Sequence, residues 1–322
     1  MITRRRLIAT TLSLLTARAA AQTADLPVVG ALLITDPVLS YTWKRLVADM
    51  LALGYVDGTN VRYAARFTQD PVQLPALAAE IALLSPRVVY ANGDEVARVA
   101  AFQWSTIPIV AMTDDHIGAG LTDSYARPSR NVTGVSRLEA ELDTKRLELL
   151  HELVPSAQLI LVLRDPQTVW SSRSEALEQA AARLRIELDI RDVRGVGDID
   201  NGIVVGQAAG ARAVLVLGSP LLTAPQFATQ IRETAITYRL PTMVQIPRAV
   251  ASGDLASYGI DQDAVLLRLA AMIDRILKGA KPGSIPIEQP TKFLLVINMK
   301  TAHALGLTIP PALLARADEV IE

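Results

Sequence analysis

The strongest constraint on this chain is a rhythm: short, unbroken runs of aliphatic and β-branched residues, each followed by a longer segment with helical spacing. Residues 28–34 are apolar without alternation, as a strand must be when both its faces are buried in a parallel sheet. A helix-spaced segment follows at 41–53 and stops at Gly54, a residue suited to the left-handed turn after a helix. The pattern predicts strands over 61–67, 88–91, 107–112 and 132–135, with helices over 74–84 and 94–104 between them. It then restarts, with strands at 159–163, 186–193, 213–217 and 242–246 and helices at 141–154, 173–184 and 227–238. Such alternation implies right-handed βαβ units. The fold class expected is therefore α/β, with two doubly wound parallel-sheet lobes.

The last part of the chain does not read as a third domain. Residues 255–259 and 293–298 are short and extended, 264–277 is helical, and Pro282, Pro286 and Pro290 punctuate the stretch between. This tail is expected to cross back and complete each lobe. The expected division is residues 26–138 plus 257–283 for the first lobe and 139–250 plus 290–322 for the second. Three hinge crossings are then placed near 136–140, 248–256 and 284–292.

Composition narrows the function. The chain has 322 residues, enough for two lobes, since a single core stops growing near about 250–300 residues. Its formal charge of −1 and 4% aromatic content offer neither a basic footprint nor stacking platforms, so no nucleic-acid partner is expected. With no cysteine, disulfides, thiolate catalysis, cysteine-bound metal and a thioether-linked lipid anchor are all excluded. Arg4, Arg5 and Arg6 precede a short apolar run at 7–15, and Ala19, Ala20 and Ala21 offer a small-residue cleavage site. Residues 1–21 thus read as a cleavable signal peptide, giving a periplasmic address without a lipid anchor. Its removal takes away Arg4, Arg5, Arg6 and Arg18 and leaves 28 basic against 33 acidic side chains.

Several stretches then carry a resemblance. Gln289-Pro290-Thr291-Lys292-Phe293, the run 295–302 ending Asn298-Met299-Lys300-Thr301-Ala302, and the run 304–311 closing on Ile309-Pro310-Pro311 resemble the signature of one family. The turn Leu53-Gly54-Tyr55-Val56-Asp57-Gly58, the Gly118-Ala119-Gly120-Leu121 and Asn131-Val132-Thr133-Gly134 segments, and 275–282 agree with it. That family is the ABC-transporter substrate-binding proteins related to the tryptophan/tyrosine-uptake receptors. The resemblance implies the type I periplasmic-binding-protein fold and a soluble receptor that hands a small solute, an amino acid or related carboxylate, to a membrane permease. A monomer that works without a cofactor is expected.

Ligands of open parallel sheets bind beyond the carboxyl ends of strands. In the first lobe this singles out Thr35 and Asp36, Asn92 and Gly93, and Thr113, Asp114 and Asp115. In the second it singles out Arg164 and Asp165, Gly218 and Ser219, and Gln245, with Tyr258 on a nearby crossover. Gly93 lets the backbone approach a ligand; Thr35, Asn92 and Ser219 supply short donors; Asp114 or Asp165 would pair with an ammonium group. The competing reading makes Asp36, Asp94, Asp165 and Ser219 turn or helix-cap residues. Relatives often carry Asn-Pro where this chain has Arg164-Asp165-Pro166, and Asp-Pro where it has Asp115-His116; Arg164 and an aspartate are open to pairing with each other. Tyr41, Trp43 and Trp170 fall near the same ends, either for stacking on a flat ligand or for packing on a helix face. His116, His151 and His303 lack metal-ligand spacing.

No G-x-S-x-G, G-x-G-x-x-G or P-loop lysine motif occurs, so the chain is not read as an enzyme. The alternatives weighed are a periplasmic sensor docking on a signalling receptor and, further off, an α/β hydrolase.

Overall fold

A computed structural model describes residues 26–38, 40–167 and 171–322. The expected signal peptide and Trp170 lie outside the described residues. The chain divides into two α/β units and passes between them after Ser136, after Val265 and after Glu288.

The first unit comprises the described residues up to Ser136 together with Leu266–Glu288. Its five strands are β1 (Val28–Ile34), β2 (Arg62–Thr68), β3 (Val88–Asn92), β4 (Ile109–Thr113) and β5 (Val132–Ser136). All pairings are parallel, in the order β2-β1-β3-β4-β5. Helices α1 (Tyr41–Ala52), α2 (Leu74–Ala82) and α3 (Asp94–Gln103) make the crossovers. Leu32, Val89, Ala91 and Ala111 pack with Leu74, Ile81, Val96 and Ala100 in one core layer. The strand order reverses between β1 and β3, the point where such sheets open a crevice. The outer strand β5 is covered by the late segment: the Ser136 N–H donates to the Glu288 carbonyl (2.9 Å) and the Glu288 N–H to the Gly134 carbonyl (2.9 Å). Gly134 has φ +146°, and a Cβ there would lie 1.8 Å from the Ala111 carbonyl oxygen, so the β4–β5 approach needs glycine.

The second unit comprises Arg137–Val265 and Gln289–Glu322. Its sheet has seven strands: β6 (Leu159–Arg164), β7 (Glu187–Asp192), β8 (Ala213–Val216), β9 (Thr242–Val244), β10 (Ala256–Ile260), β11 (Phe293–Asn298) and β12 (Glu319–Ile321). Their order is β12-β11-β10-β9-β8-β6-β7. Helices α4 (Glu139–Leu153), α5 (Ser171–Leu184), α6 (Val196–Ala208) and α7 (Pro225–Thr237) connect the parallel strands. The helices α8 (Gln262–Leu277), α9 (Met299–Leu305) and α10 (Pro311–Leu314) belong to the tail. Ile160 and Val162 enter one core layer beside Leu147, Leu150 and Leu177, while Leu161 and Leu163 enter another beside Ile199, Ile203 and Ile231. Both faces of β6 are thus buried, which is why its sequence shows no alternation.

Three features depart from expectation. Residues 257–260 were assigned to the first lobe, but β10 lies in the second sheet. Its backbone pairs with β9 on one side and β11 on the other, and strand amides must find such partners. The second passage between units accordingly falls inside α8, after Val265, and not near 248–256. The second sheet is also not wholly parallel: β11 runs antiparallel to β10. A strand reached by way of another unit is free of the crossover geometry that forces parallel pairing. Finally, α6 was not anticipated. Gly202 and Gly206 dilute its helical signal, yet a Cβ on Gly206 would stand 3.1 Å from Leu161, so the glycine lets this helix lie close to β6.

Candidate functional site

In the first unit, Thr35 and Asp36 leave β1 and Asn92 and Gly93 leave β3, flanking the point where strand order reverses. The Thr35 N–H donates to the Thr68 carbonyl (2.8 Å), holding the ends of β1 and β2 together. Asp36 accepts from the Val38 N–H (2.7 Å), a turn-forming use of its carboxylate. Gly93 caps α3 with φ +106°, and no heavy atom lies within 4 Å of the space a Cβ would fill. Beside it, Asn92 Oδ1 is buried without a hydrogen-bond partner among the described residues. Asp94 accepts the Asp114 N–H (2.7 Å), tying the first turn of α3 to the loop after β4.

Adjoining these tips is a hollow of about 460 Å³ lined by Thr35, Pro37, Phe67, Thr68, Gln69, Asp70 and Gln73. Of the expected residues it includes Thr35 alone; Pro37 follows it after β1, and the others come from the end of β2 and the turn after it, which the sequence analysis does not single out. Thr68 and Gln73 are linked through Oγ1 and Oε1 (3.1 Å), and Asp70 caps the following turn through the Val72 N–H (3.1 Å).

Thr113 faces inward. It is fully buried, and its Oγ1 lies 2.6 Å from Nδ1 of His116, which also lies 2.9 Å from Ser136 Oγ. The His116 N–H donates to the same Ser136 oxygen (3.1 Å). Burial lowers the His116 pKa to about 4 against the opposing pull of Asp115, so the ring is neutral at neutral pH. Tyr125 donates to Asp115 (2.5 Å) at the rim of this cluster. Trp43 meets Tyr63 edge-on with ring centroids 5.8 Å apart, a packing arrangement on the first unit.

In the second unit, Arg164 pairs with Asp192 across the ends of β6 and β7 (2.5 Å). Asp165 is buried and accepts from the Gln167 N–H (2.9 Å), and Ser219 is buried with Oγ accepting from the Leu222 N–H (3.0 Å). Asp36, Asp165 and Ser219 therefore all perform the turn roles that competed with ligand contact. Gln245 lies against Gly218, where a Cβ would fall 1.7 Å from its Oε1. Tyr258 is half-buried, its ring stacked on Phe293 at 6.0 Å.

The feature the sequence reading missed lies under these tips. Glu139, Asp143 and Arg146 of α4 and Arg173 of α5 are all buried and form one ionic network. Arg146 donates to Glu139 (2.8 Å) and Asp143 (2.7 Å), and Arg173 donates to the second oxygen of Asp143 (2.8 Å). Both arginines also reach the strand tips: Arg146 Nε donates to the Tyr258 carbonyl (2.6 Å) and Arg173 Nη1 to the Gly218 carbonyl (3.2 Å). Burial alone would raise the Glu139 pKa, but the fields of Arg146, Arg137 and Arg173 outweigh it and hold the carboxyl at about 2. The i, i+4, i+7 spacing of Glu139, Asp143 and Arg146 was the available signal, though the same spacing commonly marks a solvated helix face.

The sequence matches the profile of a family described as ABC transporter substrate binding protein over residues 31–321. The chain belongs to that family. Its members are substrate-binding proteins and not enzymes. A relative from Clostridioides difficile (strain R20291), named tyrosine-binding protein, is 25% identical over 279 residues, covering 85% of this chain and 79% of its own. An ABC domain from Streptococcus pneumonia, solved in complex with L-Trp, superposes with a TM-score of 0.81 at 23% identity, covering 92% of this chain and 100% of that one. A conserved domain protein from Vibrio cholerae O1 biovar eltor gives a TM-score of 0.79 at 26% identity, covering 92% and 99%. The two α/β units of this substrate-binding protein are those of the type I periplasmic-binding-protein fold.

Proposed function

We propose that this substrate-binding protein is a monomeric periplasmic receptor of an ABC-type uptake system, exported by a signal peptide over residues 1–21. It captures a small zwitterion, an amino acid, with strand-tip residues, and delivers it to a membrane permease. The observation that carries this reading is the pairing of Asn92 and Gly93 at the start of α3. There, an unsatisfied buried amide oxygen adjoins an open helix N-terminus on the reversal point of the sheet. Asn92 Oδ1 is an acceptor and suits an ammonium group, while the helix end suits a carboxylate. A zwitterion supplies both.

Thr35, Asp36, Asn92, Gly93 and Asp114 are the ligand contacts proposed on the first unit, with Thr113 supporting them from inside through His116. Asp165, Ser219, Gln245 and Tyr258 are those proposed on the second, Asp165 and Ser219 being set by the turns they close. The relatives' binding of tyrosine and L-Trp favours an aromatic amino acid here, and the half-buried Tyr258 ring offers a stacking surface.

The test is a thermal-shift screen of the purified protein against L-tyrosine, L-tryptophan, the other amino acids, aromatic acids and nucleosides. A true ligand at 100 times its dissociation constant adds about 2.7 kcal/mol of stability. A screen in which no amino acid moves the melting point overturns the reading. Cell fractionation with N-terminal sequencing checks the export claim, which predicts a mature chain starting at Gln22.

A further inference from the structure

We infer that Glu139, Asp143, Arg146 and Arg173 are positioning residues for the solute contacts proposed on the second unit, clamping the backbone at Tyr258 and Gly218 in the conformation that receives the ligand. This rests on the proposed solute-binding role.

The argument begins with what the network costs. Four charged groups taken out of water are no better for stability than well-packed apolar side chains of the same volume. Their presence calls for a task that apolar groups cannot perform, and directional hydrogen bonding is such a task. From each arginine one bond leaves the network and ends on a backbone carbonyl. The pairing of β10 with β9 stops at Ser257, so the Tyr258 carbonyl stands one residue beyond that ladder, and Arg146 takes it at 2.6 Å. Likewise β8 ends at Val216, and the Gly218 carbonyl two residues on is taken by Arg173 at 3.2 Å. At both places a guanidinium continues the work of the sheet past its last rung.

Asp143 makes the two clamps one object. Its two oxygens bridge Arg146 and Arg173, so the tip of β10 and the loop after β8 are referenced to the same carboxylate. Glu139 supplies the second negative charge and leaves the network neutral overall. Gln245 sits between the clamped elements: its side chain lies against Gly218, and its carbonyl oxygen lies 2.0 Å from where a Cβ on Gly259 would be. Three of the four expected second-unit contacts, Ser219, Gln245 and Tyr258, are therefore held on or beside the clamped backbone.

The experiment measures dissociation constants for L-tyrosine and L-tryptophan by calorimetry, together with amide hydrogen exchange, on the wild-type protein and on Arg146→Met, Arg146→Lys, Arg173→Lys and Asp143→Asn. Measurements are made well below each variant's melting temperature. Binding by Arg146→Met and Asp143→Asn is expected to weaken about tenfold or more, where tenfold corresponds to about 1.4 kcal/mol. Arg146→Lys, which keeps the charge and one donor, is expected to recover part of the loss. Exchange should quicken at 217–219 and 256–260 while β6 and β7 stay protected. Should Arg146→Met or Asp143→Asn fail to fold, the two lysine variants carry both readouts. Unchanged dissociation constants alongside a lowered melting temperature, or exchange that rises evenly across the unit, would make the network merely structural and overturn the inference. A wild-type protein that binds neither probe is a failure of the proposed function instead; localised exchange at 217–219 and 256–260 would then still uphold the clamp.

Discussion

Each unit buries polar groups just under its strand tips, and the two do so with opposite chemistry. In the first, His116 is neutral and shares its Nδ1 between two hydroxyls, Thr113 and Ser136. In the second, two carboxylates and two guanidiniums are buried together as ions. A neutral cluster costs little to bury but holds only while its titratable member keeps its proton off. An ionic cluster is expensive to assemble, strongly directional, and indifferent to pH until its carboxylates protonate. Within the network the two carboxylates also differ: burial raises the Asp143 pKa against the pull of Arg173 and Arg146, while Glu139 is held low. The comparison teaches that one unit keeps its buried titratable group neutral and the other keeps its buried groups paired, and it can be tested by perturbing each side.

The largest effect should come from breaking the ionic side. Asp143→Ala removes the carboxylate that bridges two buried guanidiniums and should cost about 3–5 kcal/mol in chemical denaturation. A loss below about 1 kcal/mol would show that water reaches the network and that it is not buried as described.

Next comes acid. The folded His116 pKa of about 4 lies below its ordinary value of 6.5, so the unfolded chain binds the extra proton in that window. Stability from this group is fully present above pH 6.5 and declines as pH falls to 4, by about 3 kcal/mol in all. Glu139, held at about 2 against an ordinary 4.5, contributes stability above pH 4.5 that is lost only as pH falls towards 2. Hydrogen exchange followed from pH 7 to 3 should therefore show the first unit loosening before the second. His116→Asn should flatten the upper window and leave the lower one; simultaneous loosening of both units would break the comparison.

Smaller again is the effect of Gly259→Ala, whose new methyl group meets the Gln245 carbonyl at 2.0 Å. A strain of about 1–3 kcal/mol is expected, measured as a fall in denaturation midpoint. Smallest should be Arg316→Ala, which removes a surface pair with Glu152 (2.7 Å) and should change stability by less than about 1 kcal/mol.

Much of the fold was legible because burial on both faces of a sheet leaves an unmistakable mark. The runs at 28–34, 88–91 and 159–163 have no polar residue to spare, and each is a central strand. What failed was wherever local pattern yields to tertiary context. Gly202 and Gly206 read as helix breakers, yet they are the residues that let α6 approach β6. Residues 256–260 carry no mark of which sheet they join, because that choice is made by pairing with β9 and with β11, the latter more than thirty residues further on. The candidate site was legible as a set of strand ends but not as chemistry. Thr113 stands at its expected place with its hydroxyl turned inward, and Asp165 and Ser219 close turns. Asp143 and Arg146 are spaced like an exposed charged face yet are buried, paired with Glu139 on their own helix and, through Asp143, with Arg173 on another.

The late segment that covers β5 bears on how the protein is made. Thr133 donates to the Ile285 carbonyl, Ile287 to that of Tyr125 and Ser136 to that of Glu288, the first of these joining positions 152 residues apart. The amino-terminal unit thus lacks part of its own edge until residues 285–288 have been made, although its other four strands are available early. Folding should wait on that distant piece, since closing so long a loop must come before its contacts can reward it. Under the export proposed above, a chain threaded across a membrane before it folds would gain from a built-in delay of this kind.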